Sequence, residues 1–123
     1  METNSKKVLE ALPDFNDFLK LIDEIKALSI KKMTLEKDLK EQESEVFNKV
    51  MNSEQFFNNG KPVAVSYYEN AYKYNGVSGE LIPYRELLIN VSAELDAKKA
   101  QFDVYKQMQD MYKTLVYAEK TFA

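Results

Sequence analysis

Apolar residues recur at alternating spacings of three and four residues along the first part of the chain. The series begins at Phe18 and ends at Val46, and the polar residues Lys32 and Gln42 fill two of its positions. Heptad spacing of this kind brings the repeated side chains to one face of an α-helix. The sequence therefore predicts a long helix with an apolar seam formed by Phe18, Leu21, Ile25, Leu28, Leu35, Leu39 and Val46.

The same spacing returns after Pro83 and continues to Val116. Lys98 and Gln109 take the two polar positions of this second series. The repeat predicts a second long helix, since it again places one apolar face along the whole segment. Its seam contains Tyr84, Leu88, Val91, Leu95, Phe102, Tyr105, Tyr112 and Val116.

The residues at the predicted helix starts agree with the periodicity. Asp14 follows Pro13, and its carboxylate can accept hydrogen bonds from the first unpaired amide groups of a helix. Pro83 suits a first helical turn, because the N–H that proline lacks is not needed there. We predict an N-terminal extension at residues 1–13, the first long helix at residues 14–57 and the second at residues 83–121.

The polar seam positions also indicate how the two helices pair. A lysine in a seam is tolerated when its ammonium group reaches water or a polar partner. In an antiparallel pairing where the numbers of facing residues add to about 140, polar seam residues gain polar neighbours. This register pairs Lys32 with Gln109, Gln42 with Lys98, and Leu39 with Phe102. It also places Phe56 and Phe57 against Tyr84. We predict an all-α fold, a long antiparallel helical hairpin of the coiled-coil type in one domain.

Both helices carry further apolar residues outside their seams. These residues widen the apolar stripe beyond what a two-helix interface covers. We therefore expect another helical surface to pack on them, either a second copy in a homo-oligomer or a different partner protein. The residues are Ile22, Ile30, Met33 and Phe47 on the first helix, and Leu87, Met108, Met111 and Leu115 on the second.

The segment between the helices, residues 58–82, is longer than the ~2 to 8 residues usual for a connection in a helical bundle. All three glycines and two of the three prolines of the chain lie between positions 60 and 83. Ser66 and Glu69 have the spacing of a capping box, and Gly76 suits a left-handed cap. We predict a short third helix at about residues 66–75 in this connector.

Five of the eight tyrosines lie in or beside the connector, together with Arg85, the only arginine of the chain. Tyrosines among cations suit stacking on unpaired bases, and they equally suit a protein hot spot. A structural alternative is that Tyr68 and Tyr72, four residues apart, anchor the short helix on the long ones. The candidate partner-binding or nucleic-acid-binding residues are Lys61, Tyr67, Tyr68, Tyr72, Lys73, Tyr74, Tyr84 and Arg85.

Composition narrows the chemistry further. The chain has 123 residues, and its 17 basic and 20 acidic side chains give a net charge of −3, so any affinity for nucleic acid must come from a local patch. Histidine and cysteine are absent, which excludes disulfides, thiolate nucleophiles, imidazole bases and the usual zinc ligand sets. Gly76 and Gly79 lack the spacing of a phosphate-binding loop. We expect a protein that is not an enzyme, with no catalytic residue, no metal site and no cofactor.

Charged or amide side chains interrupt every apolar run well before the ~20 residues that a membrane crossing needs. Asp14, Asn16 and Asp17 likewise interrupt the N-terminal region before it reaches the length of a signal peptide. We expect no membrane partner and a cytoplasmic location, in a bacterial host cell or associated with a virion.

Two short stretches of the predicted second helix carry a resemblance to a known family: Leu95, Asp96 and Ala97, and the segment from Lys106 to Gln109, Asp110 and Met111. They resemble the C-terminal helix of phage recombination mediators of the UvsY type. The order of a long helix, an interruption rich in tyrosine and glycine, and a second long helix is also similar. The resemblance implies a small helical protein that oligomerises, binds single-stranded DNA and helps to load a recombinase.

Two functional hypotheses follow from the sequence. The first is a non-enzymatic assembly protein, a phage-like accessory protein that associates through its helices and presents the tyrosine-rich connector to a partner protein. The alternative is an accessory factor that binds single-stranded DNA in recombination or replication.

Overall fold

The computed structural model describes residues 3–51, 57–58, 61–62, 75–76 and 78–122. Its elements, in chain order, are α1 (Asn4–Ala11), α2 (Phe15–Met51), β1 (Phe57–Asn58), β2 (Lys61–Pro62) and α3 (Ile82–Phe122). The long helices α2 and α3 pack against each other, which confirms the predicted all-α helical hairpin.

The chain divides into two compact units, and both long helices contribute to each of them. The terminal unit comprises Met1–Ser29 and Ala93–Ala123, and the central unit comprises Ile30–Ser92.

The start of α2 follows the predicted capping chemistry. The backbone N–H of Asp17 donates to Asp14 Oδ1 at 2.9 Å, and the N–H of Phe18 donates to the Asp14 carbonyl oxygen at 3.2 Å. Pro83 lies in the first turn of α3, as predicted. The observed helix starts, Phe15 and Ile82, differ from the predicted starts by one residue each.

The predicted extension of the first helix to residue 57 is wrong. Phe57 lies in β1, which pairs with β2 in the antiparallel sense, with Phe57 opposite Pro62 and Asn58 opposite Lys61. In the sequence, the two residues between these strands are Asn and Gly, the pair that two-residue hairpin loops favour most. The local preference for a hairpin thus outweighs the aromatic packing that the sequence analysis assigned to Phe57.

The N-terminal extension contains a helix, α1, that the sequence analysis did not predict. Thr3 caps it, because its Oγ1 accepts a hydrogen bond from the backbone N–H of Lys6 at 3.2 Å. At the other end, the N–H of Leu12 donates to the carbonyl oxygens of Val8 and Leu9. A helix of eight residues is too short to give a clear heptad series, so its only sequence signal is the capping threonine.

The core of the central unit is formed by residues of the two seams and by the residue that precedes α3. Leu39 and Val46 of α2 are buried together with Leu81, whose side chain is fully buried. Tyr84 and Leu88 of α3 pack against this cluster, as does Phe47 of α2. Both seams therefore face inward, as the heptad spacing predicted.

The predicted register of the two helices is wrong. In the terminal unit, Phe102 contacts Phe18 instead of Leu39, and Lys98 pairs with Glu24 instead of Gln42. The numbers of these facing residues add to about 122 instead of about 140, a shift of about 18 residues or five helical turns. A shift by whole turns keeps both apolar seams facing each other, so the seam pattern alone fits both registers.

The predicted short helix at residues 66–75 lies almost wholly outside the described residues. Gly76 has φ +83°, in the left-handed region expected of a glycine cap. A Cβ atom at this position would also collide with the side chain of Glu80. The backbone conformation therefore favours glycine at residue 76, and a Cβ atom there would also require the flexible side chain of Glu80 to move.

Candidate interaction surfaces

The predicted binding residues are only partly within the described residues. Tyr67, Tyr68, Tyr72, Lys73 and Tyr74 lie outside them, and Lys61 lies in β2. Tyr84 and Arg85 are the two candidates whose side chains the structure describes, and both belong to the first turn of α3.

Tyr84 is a half-buried part of the central core. Its side chain packs against the cluster formed by Leu39, Val46 and Leu81. The ring therefore contributes to packing between the two long helices, as amphipathic tyrosines at the edge of a helical core commonly do.

Arg85 forms an ion pair with an acidic residue of α2. Its Nη2 lies 3.1 Å from Glu43 Oε1, and the two side chains are 29% and 21% exposed. A partly buried, charge-assisted hydrogen bond of this kind holds the guanidinium in place and balances its charge. Sequence analysis named Arg85 but missed Glu43, because the partner depends on the register of the two helices.

The outer surface of α2 in the terminal unit exposes three large apolar side chains. Phe15, Leu19 and Ile22 are 75%, 44% and 45% exposed, respectively. Their spacings of four and three residues place them on one face of the helix, outside the seam. We call these three residues the α2 apolar face. Sequence analysis found Ile22 and missed the other two, although their spacing was visible in the sequence.

The central unit exposes apolar residues of its own. Ile30 and Met33 on α2 and Ile89 on α3 are all more than half exposed, and Leu87 is about half exposed. Of the off-seam residues that the sequence identified, Phe47 instead packs against the core.

A shallow groove of about 480 Å³ lies along one side of the terminal unit. Ile22 and Ile25 of α2 line it from one helix, and Lys99, Phe102 and Asp103 of α3 line it from the other. The groove therefore joins the α2 apolar face to charged side chains of α3 on the same side of the unit.

The charged side chains of α3 form a regular row. An aspartate recurs every seven residues, and a lysine follows each aspartate at a spacing of three. All six side chains are exposed, and the ammonium group of Lys106 lies 5.9 Å from the centre of the Phe102 ring, beside the groove. We call this set the α3 charged row; it consists of Asp96, Lys99, Asp103, Lys106, Asp110 and Lys113.

A second, more polar groove of about 260 Å³ is also present in the terminal unit. Its walls include Asp17, Lys20, Glu24, Lys98 and Gln101. Lys98 Nζ donates to Glu24 Oε2 at 2.9 Å, and about a third of each side chain is exposed. This groove is thus lined mainly by polar and charged side chains, whereas Ile22, Ile25 and Phe102 line the larger groove.

The hydrogen bond between Lys98 and Glu24 shifts the proton affinities of both groups. Lys98 lowers the pKa of the Glu24 carboxyl below its ordinary value. Glu24 in turn raises the pKa of the Lys98 ammonium, through the hydrogen bond and through charge attraction. Each shift favours the charged form, so the pair stays ionised across neutral pH.

Within the described ranges, no cluster of three or more acidic side chains could hold a metal ion. In the same ranges, no helix combines the length and apolar character needed to cross a membrane. Comparison of the chain with protein-family models, curated proteins and solved structures gives no match.

Proposed function

We propose that this chain is a non-enzymatic helical protein that mediates assembly, associating through the outer faces of its helices and presenting the tyrosine-rich connector to a partner protein. The observation that carries the proposal is the set of large apolar side chains on the outside of the helices, with Phe15 as the most exposed member. The role is that of an accessory protein in the cytoplasm of a bacterial host or in a virion.

The exposed apolar residues support association because they are grouped. Single exposed apolar residues are common on protein surfaces, but contiguous patches usually mark an interaction site. On α2, Phe15, Leu19 and Ile22 form such a group within two helical turns. Covering a side chain of this size contributes about 1.5 to 3 kcal/mol of hydrophobic free energy when burial is complete.

The connector supports binding of a partner protein through its composition. Tyrosine supplies a large contact area at a low cost in side-chain entropy, and it is enriched at interaction hot spots. Four tyrosines lie within eight consecutive residues of this segment, at positions 67, 68, 72 and 74.

Photo-crosslinking in the host cell tests the proposal. A photoreactive phenylalanine analogue replaces Tyr72 in one variant and Lys37 in the control, since Lys37 is a largely exposed residue on the polar side of α2. We expect a discrete crosslinked protein adduct from position 72 and none from position 37. An adduct with nucleic acid, or no adduct from position 72, would contradict the proposal.

Single-stranded DNA binding is the second candidate, and the sequence observation that favours it is the presence of Lys61 and Lys73 among the connector tyrosines. Arg85 contributes less to this candidate than its charge suggests, because Glu43 already pairs with its guanidinium group.

A further inference from the structure

We propose that a second copy of this chain, in the antiparallel orientation, covers the side of the terminal unit formed by the α2 apolar face and the α3 charged row. The inference rests on the proposed function, in which the helices associate through their outer faces. It specifies which face associates, what covers it and in which orientation.

The apolar part of this surface needs a partner with apolar side chains of its own. Phe15, Leu19 and Ile22 provide a face that water solvates poorly, and the groove continues it to Phe102 of α3. The same residues on a second copy have the matching character.

The α3 charged row indicates that the partner is a second copy of the chain and that the two copies are antiparallel. In the α3 charged row, aspartate and lysine alternate with a strict period of seven residues. When two such rows lie antiparallel, one register sets every aspartate opposite a lysine of the other chain. The pairs are Asp103 with Lys106 of the second copy, Asp96 with Lys113 of the second copy, and Asp110 with Lys99 of the second copy, each formed twice by symmetry.

A parallel dimer with twofold symmetry lacks this complementarity, because its axis runs along the helices and allows no stagger between them. Two rows in parallel register would set Asp103 against Asp103 of the second copy and Lys106 against Lys106 of the second copy. Like charges directly opposite each other destabilise an interface. The sequence of charges therefore favours the antiparallel orientation.

The same twofold axis also brings the apolar residues together. The antiparallel register of the charged rows centres the axis between Asp103 and Lys106. Phe18 of α2 faces this part of α3, because its ring contacts both Phe102 and Tyr105. An axis at that level of α2 sets Phe15 opposite Leu19 of the second copy. The axis that pairs the charges of α3 is therefore compatible with contact between Phe15 and Leu19 of α2.

Crosslinking of the full chain tests the orientation directly, since the chain has no cysteine of its own. One chain carries Asp96→Cys, another carries Lys113→Cys, and a short bis-maleimide is added to each alone and to their mixture. We expect a covalent dimer in the mixture and little in either single variant. Efficient crosslinking of Asp96→Cys with itself would indicate a parallel dimer and overturn the inference.

Sedimentation equilibrium tests whether the α2 apolar face lies in the dimer interface. Leu19→Asp is expected to raise the dimer dissociation constant by more than about 30-fold, because each dimer would bury two unpaired carboxylates. Val104→Asp is the matched control, since Val104 is 51% exposed and follows Asp103 by one residue, about 100° around α3. We expect the control to leave the dissociation constant within about threefold of the native value.

Exchanging the charges of Asp103 and Lys106 tests whether these two residues pair between the two copies. Asp103→Lys and Lys106→Asp are each expected to raise the dissociation constant about tenfold, because each creates two like-charge contacts. The double variant exchanges the signs and is expected to return to within about threefold of the native chain. Far-UV circular dichroism of every variant reports whether helix content has changed.

A native chain that stays monomeric at all concentrations would overturn this inference, as would a dimer that none of these variants weakens. Both results concern the helix faces alone. Binding of a partner protein by the connector is tested separately, by photo-crosslinking from position 72. Failure of the dimer and failure of the proposed function are therefore distinguishable.

Discussion

Glu24 of α2 accepts a hydrogen bond from Lys98 of α3, with 2.9 Å between Oε2 and Nζ, and this ion pair marks the register of the terminal unit. Lys98 occupies a seam position, where an unpaired ammonium group would be costly. Glu24 is an acidic residue beside the first seam, and it supplies the partner that the sequence analysis sought in Gln42. The observed register thus satisfies the polar residue of the seam with an opposite charge.

Replacing Glu24 with glutamine is expected to weaken the pH dependence of stability on the acid side. Because the pKa of Glu24 is lowered in the folded chain, the pair stabilises the fold above the ordinary pKa of a glutamate. That stabilisation is lost as the pH falls through the lowered pKa. Urea unfolding at pH 7 and at pH 3 measures the effect, and Glu24→Gln should lower the urea midpoint at pH 7 and change it little at pH 3.

Glu41→Gln is the control for this experiment. Glu41 pairs with Lys37 one helical turn away, at 4.0 Å and with both side chains largely exposed. Pairs of this kind within one helix contribute little. An equal drop in urea midpoint for both variants at pH 7 would contradict a specific role for the pair between the helices.

Glu119 of α3 anchors α1, and its removal is expected to destabilise the terminal unit. Its carboxylate accepts hydrogen bonds from the backbone N–H of Ser5 at 3.2 Å and from the hydroxyl of the same residue. Ser5 is buried and its hydroxyl also lies within hydrogen-bond distance of the Thr3 hydroxyl, so Glu119→Ala removes the acceptor of the Ser5 backbone N–H and is expected to cost about 1 to 3 kcal/mol. Urea unfolding gives the free energy, and amide hydrogen exchange in α1 should accelerate.

Ser29→Ala provides the matched control for the Ser5 contact. The Ser29 hydroxyl donates only to the carbonyl oxygen of Ile25 in its own helix, at 2.8 Å. Loss of such a bond changes helix stability little. If Glu119→Ala and Ser29→Ala had the same small effect, the anchoring of α1 by Glu119 would be refuted.

Leu81 is expected to be the most sensitive apolar position of the central unit. Its side chain is fully buried between Leu39 and Val46 of α2 and the first turn of α3. Leu81→Ala creates a cavity and is expected to lower the free energy of unfolding by about 2 to 5 kcal/mol. Leu87→Ala, at a position that is 49% exposed, should change it by about 0.5 kcal/mol or less. Similar values for the two variants would show that Leu81 does not lie in the core.

Binding of single-stranded DNA distinguishes the two functional hypotheses. Fluorescence anisotropy of a labelled oligonucleotide, titrated at low and at near-physiological salt, measures it. We expect no saturable change at either salt. Saturable binding that weakens with salt, and that Tyr72→Ala and Tyr74→Ala reduce without loss of helix content, would support the DNA hypothesis instead.

Sequence reasoning predicted the elements that depend on local or periodic signals. Asp14 identified the start of α2 through its capping chemistry, and the two heptad series identified which faces of the long helices are buried. The register could not be predicted, because a repeating seam allows shifts by whole turns. The partners of Lys98 and Arg85, which are Glu24 and Glu43, depend on that register and were missed with it.

The remaining differences between the predicted and the observed structure have separate causes. Helix α1 is short and is anchored by Glu119, a residue more than 100 positions away in the chain, so a sequence window does not reveal it. The Asn-Gly pair between β1 and β2 is a recognisable hairpin signal in the sequence. It was not used, because the first helix was extended to residue 57 to pack Phe57 on Tyr84. The candidate tyrosines at positions 67, 68, 72 and 74 stay a prediction, since they lie outside the described residues.

The association of the helix faces is the central claim, and the mass of the native chain in solution tests it most directly. Sedimentation equilibrium over micromolar to millimolar concentrations should give a mass above that of one 14.3 kDa chain, rising with concentration to a plateau. Substituting Phe15, Leu19 and Ile22 together with serine should return the mass to that of one chain while helix content is kept. A native chain that sediments as a monomer throughout this range would contradict self-association through the helix faces, whereas photo-crosslinking from position 72 tests partner binding by the connector separately.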